Sequence, residues 1–252
     1  MTMRSEIEPL SALQPELDAN GFTVVAGIYT PEEITAIIEK VGQADRAAAT
    51  FRRSADLFAI RRFLTEVPET RELIFNNRLK ELINRLSGNG FFVVKSIYFD
   101  KPAASNWYVS YHQDLTVAVD CKASIPGFGP WTVKPEQFAV QPPSVFLERI
   151  FTVRIHLDDT DETNGALRVI PGSHRKGICR REQIDWSVET ERSCCVPQGG
   201  IMIMKPLLLH SSGRTLNSRR RRVIHIEFSD MELPAGLNWA ERMPVFNEKN
   251  AW

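Results

Sequence analysis

The chain has 252 residues, 43% hydrophobic and 25% charged, the make-up of an ordinary soluble globular protein with enough apolar material for a sizeable core. Its 31 Lys and Arg residues balance 31 Asp and Glu residues, so no global field favours nucleic acid or an anionic membrane surface. No stretch reaches membrane-spanning length, acids and prolines interrupt the N-terminal run "MTMRSEIEPLSALQPELDANGF" as no secretory leader would be, and "FNEKNAW" carries no organelle address, so a cytoplasmic protein is expected.

The first clear element is "YTPEEITAIIEKVGQAD". Thr30 is placed to cap, Pro31 sits in the first turn and Glu33 lies three residues beyond the cap, ahead of Ile34, Ile37, Ile38 and Val41. A second amphipathic helix is expected over "PETRELIFNNRLKELINRLSG", with Gly88 as its stop. After Gly90 the texture changes. "GFFVVKSIYFD", "ERIFTVRIHLDD", "GALRVIPG", "GGIMIMKPLLLHS" and "RRVIHIEFS" are short, rich in Val, Ile and Phe, and bounded by turn residues, which predicts strands. Helices followed by strands without regular alternation argue against a doubly wound sheet and for an antiparallel sandwich or barrel. One domain over residues 1–252 is expected, helical over about 1–88 and strand-built over about 90–230.

The exception to the even strand spacing is residues 115–149, a long Pro-rich connection carrying Phe128, Trp131, Phe138 and Phe146. That is too much aromatic surface for a disordered linker, so a lid or binding loop is expected there, with Trp131 and Phe138 as substrate contacts. The cysteines, Cys121, Cys179, Cys194 and Cys195, have no zinc-knuckle spacing and read as buried or incidental thiols.

Chemistry enters at "YVSYHQDLTVAV". Residues two apart on a strand share a face, so His112 and Asp114 converge while Gln113 points away. An imidazole and a carboxylate are two of the three ligands of the facial triad that binds Fe(II) and leaves positions open. His210, ending the apolar run "KPLLLHSSG", is the best candidate for the third. Beyond it, Arg221 begins a strand whose one face also holds Val223, His225 and Glu227. A guanidinium buried there requires a planar anion, as a dicarboxylate cosubstrate would supply. The other arginines of "RRRR" read as a solvated basic cluster.

With His112-Gln113-Asp114, "NGALRVIPGSHRKG" and a histidine followed by a serine two residues on and an arginine eleven residues on, the chain resembles the phytanoyl-CoA dioxygenase family of Fe(II)/2-oxoglutarate oxygenases over roughly residues 20–230. The resemblance implies a double-stranded β-helix, or jelly-roll, with Fe(II), 2-oxoglutarate and O2 as cofactors and His112, Asp114 and His210 as catalytic metal ligands. It implies that Arg221 and Ser212 hold the far carboxylate of 2-oxoglutarate. Lys95 in "FVVKSIYF" stands where some relatives contact the cosubstrate, the alternative being an edge lysine. Arg154 stands where relatives often have tryptophan in the cosubstrate pocket; it would touch 2-oxoglutarate or a substrate anion, or pair with Asp158. His225 is the more cavity-facing of two inner histidines, His156 and His225, and a further substrate contact. His174 in "PGSH" reads as part of a structural corner.

The implied activity is hydroxylation of an unactivated C–H bond in a small-to-medium organic metabolite, with release of succinate and CO2. Desaturation or cyclisation would use the same residues. A non-catalytic cupin-like binding module would not need Asp114 and Arg221 together. Nothing in the sequence sets an oligomeric state.

Overall fold

The computed structural model describes residues 12–44, 50–53, 58–88, 90–103, 107–134 and 137–246. Most of the N-terminal run read above, and the segment "NEKNAW", lie outside these residues.

Helices α1 (Leu13–Asn20) and α2 (Pro31–Gln43) flank the first strand, β1 (Phe22–Val25). α2 starts as its sequence dictates: the Thr30 hydroxyl accepts the Glu33 N–H at 3.2 Å, and the Glu33 carboxylate accepts the Thr30 N–H at 2.7 Å. Its stripe of Ile34, Ile37 and Val41 is buried, each side chain contributing roughly 1.5–3 kcal/mol. Strands β2 (Phe51–Arg53) and β3 (Phe58–Arg61) follow, then the short helix α3 (Phe63–Glu66). The first 88 residues are therefore not purely helical. The second predicted helix is also divided, into α4 (Arg71–Ile74) and α5 (Asn77–Ser87). Asn76 sets the break: its side chain accepts the Leu79 N–H at 2.9 Å, capping a new helix in place of continuing the old one.

The remaining strands are β4 (Phe92–Lys101), β5 (Val109–His112), β6 (Val117–Val119), β7 (Trp131–Lys134), β8 (Gln137–Val140), β9 (Ile150–His156), β10 (Leu167–Val169), β11 (Arg192–Cys194), β12 (Ile201–Met204), β13 (His210–Ser212), β14 (Arg221–Ser229) and β15 (Met243–Pro244); helix α6 (Ser144–Glu148) precedes β9. The main sheet runs β1-β12-β9-β14-β4-β3-β2, with β15 also on β4, and the second sheet runs β11-β10-β13-β5. Two antiparallel sheets of this order form a jelly-roll.

Strand alternation sorts the main sheet's two faces. Val153, Ile155, Ile201, Ile203, Ile224 and Ile226 join the helices in one core on the outside. The intervening residues, among them Arg154, His156, Arg221 and His225, are buried on the inner side, towards the second sheet. That inner face carries the chemistry.

Residues 115–149 form a third sheet, β6-β8-β7, and α6. Val117, Val119, Val140 and Leu147 make a core there with Leu207 and Trp239, and Phe128, Trp131 and Phe138 pack against it. The aromatic content of this segment is used to fold it.

Candidate active site

Strands β5 and β13 pair with His112 directly opposite His210, and the two ring centroids lie 4.2 Å apart. Each imidazole donates its Nδ1–H to a carbonyl two residues back in its own chain, His112 to Ser110 at 2.9 Å and His210 to Leu208 at 2.9 Å. This fixes both rings in the tautomer whose Nε2 carries a lone pair, the state a metal requires. Asp114 lies just beyond the end of β5, where its N–H donates to the Pro206 carbonyl at 2.9 Å. Its Oδ2 is 3.9 Å from His210 Nε2, and ligand atoms of His112, Asp114 and His210 all lie within 4.8 Å of one another. Two imidazole nitrogens and a carboxylate at this spacing suit Fe(II).

Gln113 points the other way, as alternation requires, and its role had no signal in the sequence. Its amide donates to the carbonyls of Leu207 at 2.6 Å and Gly177 at 2.9 Å, and accepts the Cys179 N–H at 2.8 Å. One buried side chain thus ties the His112–Asp114 segment to the turn before His210.

Burial pushes the Asp114 carboxyl up, but the fields of His210, His225, Lys95 and His112 outweigh it and hold it below the ordinary carboxylate range. Burial pulls His210 down to about 4 against the attraction of Asp114. Both groups are therefore in their ligating forms at neutral pH.

Beside the triad, a cavity of about 250 Å³ opens between the sheets, its apolar wall made by Ile97, Phe99, Trp107, Val109 and Leu167. Lys95, Arg154, Ser212, Arg221 and His225 line the same cavity. Period-two spacing from Lys95 through Ile97 to Phe99 could have revealed the β4 wall; Trp107, in a connecting segment, had no such signal. Arg221 donates through Nη1 to the Gly165 carbonyl, which also accepts the Ser212 hydroxyl at 3.2 Å. Arg221 Nε is buried with no partner among the described residues, and burial together with Arg154 pushes its pKa down to about 9. A guanidinium still charged at neutral pH, with no carboxylate beside it, fits the far carboxylate of 2-oxoglutarate. Gly165 shapes this end: at φ +87, a Cβ there would lie 3.0 Å from the Gly213 carbonyl and 3.1 Å from Lys101 Nζ.

A row of polar side chains crosses the main sheet at the level of the triad. Arg154 Nη1 donates to His225 Nδ1 at 3.1 Å, His225 Nε2–H donates to Glu227 at 3.0 Å, and Lys95 pairs with the same Glu227 oxygen at 2.7 Å. Lys95 is therefore neither an edge lysine nor an open anion site, because Glu227 faces it in register from β14. Asp114, His225 and Glu227 also approach within 4.8 Å, but both nitrogens of His225 are already committed, leaving the His112–Asp114–His210 group as the better candidate for a metal centre.

Trp131 does not line this cavity. Phe138 lines a neighbouring one of about 240 Å³ that shares Lys95 and Ile97 with it. The basic cluster is paired and not simply solvated: Arg219 bridges Asp161, Arg220 grips Asp100 from β4, and Arg222 grips Asp158 just beyond β9. Asp158 is thereby unavailable to Arg154. His174 belongs to a corner: its Nε2 faces the Asp18 carbonyl at 3.3 Å, and a Cβ on Gly21 would lie 2.4 Å from its ring. His156 is buried with its Nδ1 against Thr160 at 2.7 Å. All four cysteines are free.

A jelly-roll with a two-histidine, one-carboxylate centre between its sheets and a buried arginine beyond it defines the class of non-haem iron oxygenases that use 2-oxoglutarate. The chain belongs to the phytanoyl-CoA dioxygenase family, whose sequence profile, described as Phytanoyl-CoA dioxygenase (PhyH), matches residues 17–223. Enzymes of this family use Fe(II), 2-oxoglutarate and O2 and act on small molecules.

An ectoine dioxygenase of Bordetella bronchiseptica (strain ATCC BAA-588 / NCTC 13252 / RB50) is 27% identical over 180 residues, covering 68% of this chain. The chain spans 52% of that relative's length. Among solved structures, EctD from S. alaskensis with 2-oxoglutarate and 5-hydroxyectoine superposes with a TM-score of 0.67 at 19% identity, over 91% of this chain and 78% of that one. The 2-oxoglutarate-dependent epimerase SnoN from nogalamycin biosynthesis superposes with a TM-score of 0.67 at 16% identity, over 94% and 91%. No helix among the described residues is long and apolar enough to cross a membrane.

Proposed function

We propose that this protein is an Fe(II)/2-oxoglutarate-dependent dioxygenase that hydroxylates an unactivated C–H bond of a small-to-medium organic metabolite. The observation that carries the reading is the pairing, in one cavity, of the His112–Asp114–His210 centre with a buried Arg221 that has no anionic partner among the described residues. When bound, the iron and cosubstrate supply oxidative decarboxylation of 2-oxoglutarate to succinate and CO2 coupled to C–H oxidation.

His112 and His210 present their Nε2 lone pairs because their Nδ1 protons are held by the chain itself. Asp114 would supply a carboxylate ligand to the iron where a halide-binding centre would have none, which favours hydroxylation over halogenation. Arg221 and Ser212 orient the far end of the cosubstrate, and the wall of Phe99, Trp107 and Leu167 excludes water from the reacting bond. A ring-closing or epimerising outcome is the second reading, since neighbours of the same fold include a carbocyclase and an epimerase.

The test is succinate formation by anaerobically iron-loaded protein exposed to O2 with a metabolite panel, with mass spectrometry of the product. Ectoine belongs in that panel because the curated relative is an ectoine dioxygenase. A product heavier by one oxygen supports hydroxylation, an isomer or a product lighter by two hydrogens supports the second reading, and no succinate under any condition defeats both.

A further inference from the structure

Resting on the oxygenase reading above, we propose that the substrate carries a carboxylate and that Arg154 receives it. Among the described residues, four charged side chains line the cavity: Asp114, Lys95, Arg154 and Arg221. Lys95 is neutralised by Glu227 at 2.7 Å. Asp114 is a metal ligand in that reading, and the two carboxylates of 2-oxoglutarate face the iron and Arg221. Iron, Asp114, 2-oxoglutarate and Arg221 together carry no net charge. Arg154 is left over.

The fields of Asp114 and Cys194 support its charge, but Asp114 is committed to the iron in that reading, and no acid among the described residues pairs with it. Its Nη1 donates to His225 Nδ1, which makes that nitrogen an acceptor and the imidazole neutral, with its Nε2–H given to Glu227. Its Nε is buried without a partner, and the side chain is 8% exposed. Asp158, the acid nearest in sequence, is held by Arg222. Lys101, in register with Arg221 on β4, is a further buried cation at the other end of the site and hydrogen-bonds the carbonyls of Trp107 and Gly213. A buried guanidinium keeps its proton, so among the described residues that line the cavity one cation is left that its resident groups do not match.

Register places the backbone of that cation at the level of the metal, and Asp114 is the first charge that acts on it. Arg154 pairs across the sheet with His225, whose backbone lies four residues along β14 from that of Arg221, although the two guanidinium groups are near enough for Arg154 to join burial in lowering the Arg221 pKa. His225 in turn lies against Asp114. An anion on Arg154 therefore sits beside the iron, where the oxidised bond must be. His225 fixes the guanidinium in place, so that the charge is aimed before the substrate arrives.

The experiment uses iron-loaded, 2-oxoglutarate-bound protein held anaerobic, titrated with butyrate and phenylacetate and with their amides, butyramide and phenylacetamide. The readouts are calorimetry and the change in the iron–2-oxoglutarate absorption band. The carboxylates should bind saturably, roughly tenfold tighter than the amides, a difference of about 1.4 kcal/mol. Arg154→Gln should abolish that preference, Arg154→Lys should keep part of it, and neither should weaken 2-oxoglutarate as Arg221→Gln does. Carboxylates that bind no better than amides overturn the proposal. So does an Arg154→Gln protein of unchanged melting temperature that loses 2-oxoglutarate as heavily as Arg221→Gln, because Arg154 would then belong to the cosubstrate. Failure of the oxygenase reading would appear separately, as absence of the band in wild type; calorimetry with the same probes would still show whether Arg154 holds an anion.

Discussion

Arg221→Met removes the guanidinium while keeping most of the apolar stem, which isolates the charge from the packing. In the wild type Nη1 is committed to the Gly165 carbonyl, so the cosubstrate is held through the remaining N–H groups of the fork, of which Nε is unpartnered. One hydrogen bond to a charged group at a site this buried corresponds to about 1.5–3 kcal/mol, which is roughly a 12- to 150-fold rise in the 2-oxoglutarate Kd. The loss should appear in binding and not in iron content, since Arg221 begins β14 whereas the ligands come from β5, β13 and the segment after β5. The assay is anaerobic titration of iron-loaded protein with 2-oxoglutarate, followed by calorimetry or by the absorption of the complex. Arg219→Ala is the control: that side chain bridges Asp161 at the surface and should leave the affinity unaltered. If Arg219→Ala and Arg221→Met weakened binding alike, the selection of Arg221 from the arginine run would be wrong.

Gln113→Ala strands the Leu207 and Gly177 carbonyls and the Cys179 N–H, and should cost about 2–4 kcal/mol, a fall of roughly 5–15 °C in Tm by calorimetry; a change within error would mean water replaces the amide without loss. Burial holds His210 down at about 4, and burial also lowers His156 and His225. Between that value and about 6.5 the unfolded chain binds protons that the folded one does not, so metal-free protein should lose stability as pH falls through this window, by up to about 1.4 kcal/mol per pH unit per histidine. Urea midpoints that stay level from neutral pH to about pH 5 would show these histidines to be more hydrated than their burial implies. Trp131→Ala, packed against the core of the 115–149 segment, should lower stability by about 1–3 kcal/mol without altering 2-oxoglutarate affinity or the yield of product per succinate. Uncoupling at unchanged stability would return Trp131 to the substrate wall.

What the sequence revealed followed simple periodicities. Period two put His112 and Asp114 on one side of the chain and Gln113 on the other. β-Branched runs marked β4, β9, β12 and β14, and a capping box marked α2. What it hid depended on partners brought by register. Nothing near Lys95 in sequence announces Glu227, and nothing near Arg154 announces His225; both pairs exist because β14 lies between β9 and β4. Arg220 and Arg222 looked solvated because Asp100 and Asp158 are supplied by the ends of other strands. β1 is only four residues long and joins the sheet at an edge, too short for a pattern to stand out. In the long segment, Phe128, Trp131 and Phe138 pack against a small local core, a use of aromatic residues whose composition cannot be told from that of a cavity wall.

The central claim is that His112, Asp114 and His210 hold one ferrous ion against which 2-oxoglutarate binds. It is tested most directly by anaerobic titration of wild type and of the His112→Ala and His210→Ala variants with Fe(II) and then 2-oxoglutarate, with metal analysis and visible absorption read on the same samples. Wild type should take up one iron per chain and develop the iron–2-oxoglutarate charge-transfer band, while both variants, folded by circular dichroism, should do neither. Wild-type iron content and band in either variant would remove that histidine from the centre, and a wild type that binds iron but shows no band with 2-oxoglutarate would contradict the account.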